Sequence, residues 1–256
     1  MAELIRTKGI TKRFGGLVAV NNVDFHVDEG QVAGVIGPNG SGKTTLFNLI
    51  SGYFPPSDGT IIFQGQDITD KPPHERVMMG MARTFQLVSV FNSLTAWENL
   101  ILANIRFKKG QTSGGNFFFR RADRTDVQDI CYDALRAVAL ERRADTRTSD
   151  LSYGDKRKLE IAIALSLKPK LLLLDEPLAG LSDYEIAEVL ELIRRVKQDF
   201  TLVIIEHKIS KIVDLVERLS VMNDGELICE GEPEKVLSDP TVRECYWGKE
   251  ENSCSV

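Results

Sequence analysis

Residues 37–45 read Gly-Pro-Asn-Gly-Ser-Gly-Lys-Thr-Thr, GPNGSGKTT. The spacing is that of a phosphate-binding loop, Gly, four residues, then Gly-Lys-Thr. Glycine adopts backbone angles closed to other residues, so such a loop can turn its N–H groups inward onto phosphate oxygens. Lys43 can then reach the β- and γ-phosphates of a nucleotide, and the Thr44 hydroxyl can bind Mg²⁺. The mechanism needs a buried strand before the loop and a helix after it. Both are present in the pattern: VAGVI, 32–36, is continuously apolar, and GKTTLFNLISG, 42–52, has helical character with Gly52 placed to end it.

Working outward, Val23, Phe25 and Val27 alternate with polar residues, as in a half-exposed antiparallel strand, and Asp28-Glu29-Gly30 turns the chain into the buried strand. PPSDGTIIFQG, 55–65, predicts a turn and a strand. Residues 87–165 have mainly helical spacing, interrupted by 106–124, whose Gly, Ser and basic residues predict a loop or insertion. Strands return in KLLLLDEP (170–177) and TLVIIEH (201–207), followed by a hairpin around Asp224-Gly225. This order predicts an α/β core with an inserted helical subdomain.

Three further places carry chemistry. LLLLDEP ends a buried strand in two carboxylates, and in open α/β sheets ligands bind beyond the carboxyl ends of strands. Asp175 there can hold Mg²⁺ through its water, and Glu176 can polarise an attacking water. VIIEH repeats the geometry with His207. Leu-Ser-Tyr-Gly-Asp, 151–155, precedes a helix whose unpaired N–H groups form a second anion site, far from the first. By themselves Gln86 in ARTFQ and Phe14 in TKRFGG are weak signals, Phe14 being of a kind more often found in a core.

With 256 residues, 43% hydrophobic and 27% charged, the chain suits one large domain or a core with an insertion. A net charge of −5 argues against nucleic-acid binding by bulk charge. Cys131, Cys229, Cys245 and Cys254 form no Cys-x-x-Cys pair, which predicts reduced thiols in a cytosolic chain. The opening residues lack the apolar core of a secretory signal, and no apolar run nears the roughly 20 residues that cross a bilayer. Service to a membrane would run through a partner.

Together these motifs resemble the ATPase domain of ABC transporters over nearly the whole chain. The resemblance implies a P-loop NTPase core with an antiparallel β subdomain and a helical subdomain at 87–165 containing the 106–124 insertion. It makes 1–256 one ABC ATPase domain with a helical tail at 233–256. It implies ATP and Mg²⁺, held by Gly37, Pro38, Asn39, Gly40, Ser41, Gly42, Lys43, Thr44 and Thr45, with Phe14 stacked on adenine. Thr44, Gln86 and Asp175 would serve the metal. Glu176, His207, Lys43 and Gln86 would carry hydrolysis, Gln86 and His207 sensing the γ-phosphate.

The resemblance also explains the second anion site. In this family two ATPase domains join head to tail, and Ser152, Tyr153, Gly154 and Asp155 would face the partner's nucleotide. A homodimer, or a heterodimer with a second ABC ATPase, is therefore implied. Two departures stand out. Leu-Ser-Gly-Gly-Gln is replaced by Leu-Ser-Tyr-Gly-Asp, where Asp155 needs Lys156 or Arg157 to offset its charge. Ser182 replaces the Asp that often follows Ser-Ala-Leu. Neither removes a hydrolytic residue.

Within the family, KRFGGLVAVNNV, GMARTFQ, DEPLAGLS and the tail LSDPTVRECYWGKEE resemble the ATP-binding subunits of branched-chain amino-acid importers. That implies permease subunits, an external substrate-binding protein and a peripheral place on the cytoplasmic face of the cell membrane. Lipopolysaccharide-export and urea or amide ATPases are the neighbouring alternatives. Soluble ABC ATPases of nucleic acid or ribosomes usually carry paired domains, zinc sites or coiled coils, which this chain lacks. The insertion's Phe117–Arg121 can face membrane or permease, or its aromatics can fill the helical subdomain.

Overall fold

Strand β1 (Glu3–Phe14) opens a chain that continues β2 (Leu17–Asp28), β3 (Val32–Ile36), α1 (Lys43–Ile50), β4 (Asp58–Phe63), β5 (Gln66–Asp67), α2 (Pro73–Met78) and β6 (Met81–Arg83). Next come α3 (Ala96–Gln111), α4 (Ala122–Ala137), α5 (Tyr153–Ser166), β7 (Leu171–Asp175), α6 (Asp183–Val196) and β8 (Thr201–Ile205). The last elements are α7 (Ile209–Ile212), β9 (Arg218–Asn223), β10 (Glu226–Gly231), α8 (Pro233–Ser238) and α9 (Pro240–Trp247). This is a computed structural model, and it describes residues 2–86, 88–111, 122–207 and 209–247. Two compact units form, Met1–Pro72 with Thr201–Val256, and Pro73–Phe200.

In the first unit, β2, β1, β4 and β5 form an antiparallel sheet in that order. Val23, Phe25 and Val27 are buried on one side of β2, as their alternation predicts. The same unit holds a second set of strands, with β3 parallel to both β8 and β9, and β9 antiparallel to β10. All five residues of β3 and all five of β8 are buried, which is why both read as unbroken apolar runs. Asp224 and Gly225 both take positive φ, 47° and 82°, the geometry of a tight hairpin turn.

In the second unit β6 and β7 pair in parallel, Met81 with Leu171 through Arg83 with Leu173. Helices α3, α4 and α5 pack on one another. Asn104 ties α3 to α5 by donating to the Ser166 hydroxyl at 2.8 Å. Ile186, Val189, Leu190, Ile193 and Val196 form the buried stripe of α6 at helical spacing. Ser182 starts that helix with a full capping box, a motif worth about 1 kcal/mol.

Two expectations change. The predicted loop at 106–124 is helical at both ends, because α3 runs to Gln111 and α4 starts at Ala122. Its centre, including Phe117–Arg121, lies outside the described residues. The polar Ser-Tyr-Gly-Asp loop is already the start of α5: Ser152 is the N-cap and Tyr153, Gly154 and Asp155 are its first turn. Strand β6 was not anticipated, since three residues are too few to show a period.

Candidate active site

The phosphate loop leaves β3 at Ile36 and enters α1 at Lys43. Its glycines answer to two neighbours. A Cβ on Gly37 would lie 2.2 Å from the Met222 carbonyl oxygen of β9, and one on Gly42 would lie 2.5 Å from that of Ala19 in β2. Gly42 also needs φ near 100°. The hairpin turn secures the loop, because Gly225 N–H donates to the Ser41 carbonyl at 3.1 Å. Lys43 is buried, and its Nζ donates to the Gly37 and Pro38 carbonyls at 2.8 and 2.9 Å. Asn39, Gly40 and Thr44 are exposed, and Pro38, Gly42 and Thr45 half-buried.

His207 belongs to the same unit. Val35 of β3 pairs with Ile205 of β8 in parallel, so the phosphate loop and His207 leave adjacent strands at the same end. His207 is exposed. Phe14 is 46% exposed, outside the core that such an aromatic more often fills. Its ring meets Phe54 edge-on at 5.3 Å, with Lys12 Nζ 5.3 Å from its centre. An exposed ring with a neighbouring cation suits a stacked base.

The second unit gathers the carboxylates. Asp175 ends β7, and the β6–β7 register sets Arg83 beside it, with Arg83 Nη2 on Asp175 Oδ2 at 2.7 Å. Both side chains are nearly fully buried. Burial pushes the Asp175 carboxyl above its ordinary range, against the opposing pull of Arg83. Asp175 Oδ1 is buried and accepts no hydrogen bond among the described residues. An open carboxylate oxygen at a strand end fits a hydrated Mg²⁺ ion. Glu176 follows with φ of 47°, a strained conformation for a side-chain-bearing residue. Gln86 Nε2 donates to Glu176 Oε2 at 2.9 Å. Thus Gln86 and Glu176, far apart in sequence, touch.

At the start of α5, Ser152 Oγ accepts the Asp155 N–H at 3.1 Å, as an N-cap does. Tyr153 is 42% exposed. Asp155 is offset by Arg143 at 2.5 Å and Lys158 at 2.9 Å. Lys156 and Arg157, expected to do this, turn elsewhere: Lys156 to the Ser149 carbonyl, Arg157 to the backbone near Gln86. A helix brings i and i+3 together, so Lys158 rather than its predecessors faces Asp155. Glu185 Oε1 accepts the Gly154 N–H at 3.1 Å. Arg83, Glu160 and Glu185 were missed from sequence, and Arg157 was read with the wrong partner. The Arg157/Glu160 spacing was the only available signal, and it equally describes a solvated helix face.

The model of the ABC transporter family matches residues 20–179, more than half of the chain. The chain belongs to the ABC transporter family. It is 38% identical over 251 residues to the Escherichia coli K12 high-affinity branched-chain amino acid transport ATP-binding protein LivG, covering 96% of this chain and 98% of LivG. It is 37% identical, with the same coverages, to BraF of Pseudomonas aeruginosa, a protein of the same description. Among solved structures it matches the ADP conformation of an ATP-binding cassette of an ABC transporter, with TM-score 0.84, 32% identity and coverage of 97% of this chain and 100% of the other. It also matches a dimeric post-hydrolysis cassette bound to ADP and Pi, with TM-score 0.76, 26% identity and coverages of 90% and 99%. This ABC family member is therefore an ATPase subunit with an α/β P-loop fold. Among the described residues no helix is long and apolar enough to cross a membrane.

Proposed function

We propose that this chain hydrolyses ATP to drive a membrane importer of branched-chain or related amino acids. It would sit peripherally on the cytoplasmic face, against permease subunits fed by an external substrate-binding protein. The near end-to-end likeness to LivG and BraF supports the cargo class. The single observation that carries the catalytic reading is the Gln86–Glu176 hydrogen bond at 2.9 Å. It joins a group that can sense the γ-phosphate to a carboxylate that can take a proton.

In this reading residues 37–45 hold the phosphates with backbone N–H groups, and Lys43 exchanges its carbonyl partners for phosphate oxygens. Phe14 stacks on adenine. Glu176 orients the attacking water and accepts its proton as the γ-phosphoryl group passes to it and ADP leaves. His207 contacts the γ-phosphate from the end of β8. Thr44, Gln86 and Asp175 would hold Mg²⁺, which when bound neutralises charge on the β- and γ-phosphates. Ser152, Tyr153, Gly154 and Asp155 serve a second ATPase chain, identical or different, whose nucleotide they close over. The helical segment 87–165 acts as one subdomain, and 233–256 as a tail. ATP binding then favours the closed dimer, and hydrolysis releases it.

The test is a tagged pull-down from detergent-solubilised membranes of the native host, with partners identified by mass spectrometry. Two permease chains with a second ATPase are expected, after which the associated binding protein can be screened for its ligand. Ribosomal or nucleic-acid proteins in place of permeases would overturn the reading.

A further inference from the structure

Helix α5 begins at Ser152–Asp155, the residues proposed to close over a partner's nucleotide, and one turn further in it carries two buried charges of opposite sign. Arg157 is fully buried. Its Nη1 donates to the Phe85 carbonyl at 2.7 Å and its Nη2 to the Gln86 carbonyl at 2.8 Å. Nη1 also meets Glu160 Oε2 at 2.8 Å. Glu160 returns to the same segment, its Oε1 accepting the Phe85 N–H at 3.0 Å. Two side chains on one helix thus grip the peptide backbone on both sides of Phe85. Burial holds the Glu160 carboxyl above its ordinary range, against the pull of the Phe85 N–H and Arg157. Arg157 Nε has no partner among the described residues.

This is a costly way to fasten a loop. Buried ion pairs often contribute less than apolar side chains of the same size, so stability alone does not account for one. Hydrogen bonds do supply fixed register. The planar guanidinium fork sets direction as well as distance.

We propose that Arg157 and Glu160 are positioning residues that make the Gln86 segment a rigid extension of α5. Gln86 then stays on Glu176 only while α5 holds its place. A displacement of Ser152–Asp155 is carried to Gln86 because the four residues and Arg157 lie within about two helical turns of one element. On the proposed function, on which this inference rests, the partner's nucleotide engages those same four residues. Occupation of one site is thereby reported to the general base of the other.

The test uses the chain in its assembled transporter and measures steady-state ATP hydrolysis for wild type, Gln86→Ala, Arg157→Lys and the double variant. Lysine keeps the charge and loses the fork. Arg157→Lys should lower kcat about tenfold with KM changed less than about twofold, and should lower the Hill coefficient for ATP toward one. Once Gln86 is gone, Arg157→Lys should cost nothing further, since both act through one group. Multiplying losses in the double variant, or a wild-type Hill coefficient in Arg157→Lys, would overturn the proposal. If Arg157→Lys does not fold, Glu160→Gln takes its place in the same cycle and is held to the same two readouts. Failure of the function itself looks different: Gln86→Ala alone would then hydrolyse ATP like wild type.

Discussion

Glu185 Oε1 accepts the Gly154 N–H at 3.1 Å while its Oε2 accepts the Ser182 N–H at 3.0 Å. One carboxylate joins the starts of α5 and α6. Ser182 replaces an aspartate of the family pattern, yet it caps α6 fully, so the departure costs the helix nothing. The Gly154 amide can serve Glu185 or a phosphate oxygen, and the two acceptors repel.

Glu185→Gln keeps the shape and removes that repulsion. The ATP concentration giving half-maximal dimer should fall about two- to fivefold, read by size-exclusion chromatography across an ATP titration. The Ser182 and Gly154 N–H groups hold the Glu185 carboxyl below its ordinary 4.5. A lowered carboxylate stabilises the fold above that value and loses its contribution as pH falls through the folded pKa. Melting temperature should therefore drop on acidification below about pH 4.5, and by less in Glu185→Gln.

Arg83→Ala would leave Asp175 buried without its cation. Loss of a buried partner costs about 3–5 kcal/mol. Asp175 is already held high by burial, and the variant raises it further. A raised carboxyl gives its stability below the unfolded pKa and loses it as pH rises through the folded one. The deficit in urea denaturation should be larger at pH 7 than at pH 5. An equal deficit at both would show that removing Arg83 leaves the protonation of Asp175 in the fold unchanged over that range.

Glu176→Gln should still bind ATP, hydrolyse it at least about 100-fold more slowly, and accumulate dimer. Light scattering with ATP and Mg²⁺, alone and with the partner ATPase, checks this. A monomer in both samples would contradict the shared site.

Ser152→Arg inserts a long cation where the proposed partner nucleotide lies. Nucleotide affinity of the chain itself should stay within about twofold, measured by fluorescent ATP, while turnover is lost. Normal turnover would remove residues 152–155 from catalysis.

The tight loop between β3 and α1 was legible because its backbone shape and close neighbours admit only glycine at 37 and 42. The strands β3, β7 and β8 were legible because burial on both faces forces unbroken apolar runs. The partners of Asp155 were not, since Arg143 reaches it from outside the helix and one charge looks like another in sequence. Arg157 and Glu160 escaped for a related reason. An i, i+3 charge pair is usually solvated, and only tertiary packing turned this one inward.

Lys43 has a chemical consequence of its own. Acylating reagents attack the lone pair of a neutral amine, and this ammonium is buried with its hydrogens on the Gly37 and Pro38 carbonyls. Lys8, which is exposed, should take an N-hydroxysuccinimide label while residue 43 stays unmarked in the peptide mass map. Label on Lys43 then becomes a gauge of preparation quality, marking molecules whose phosphate loop has come undone.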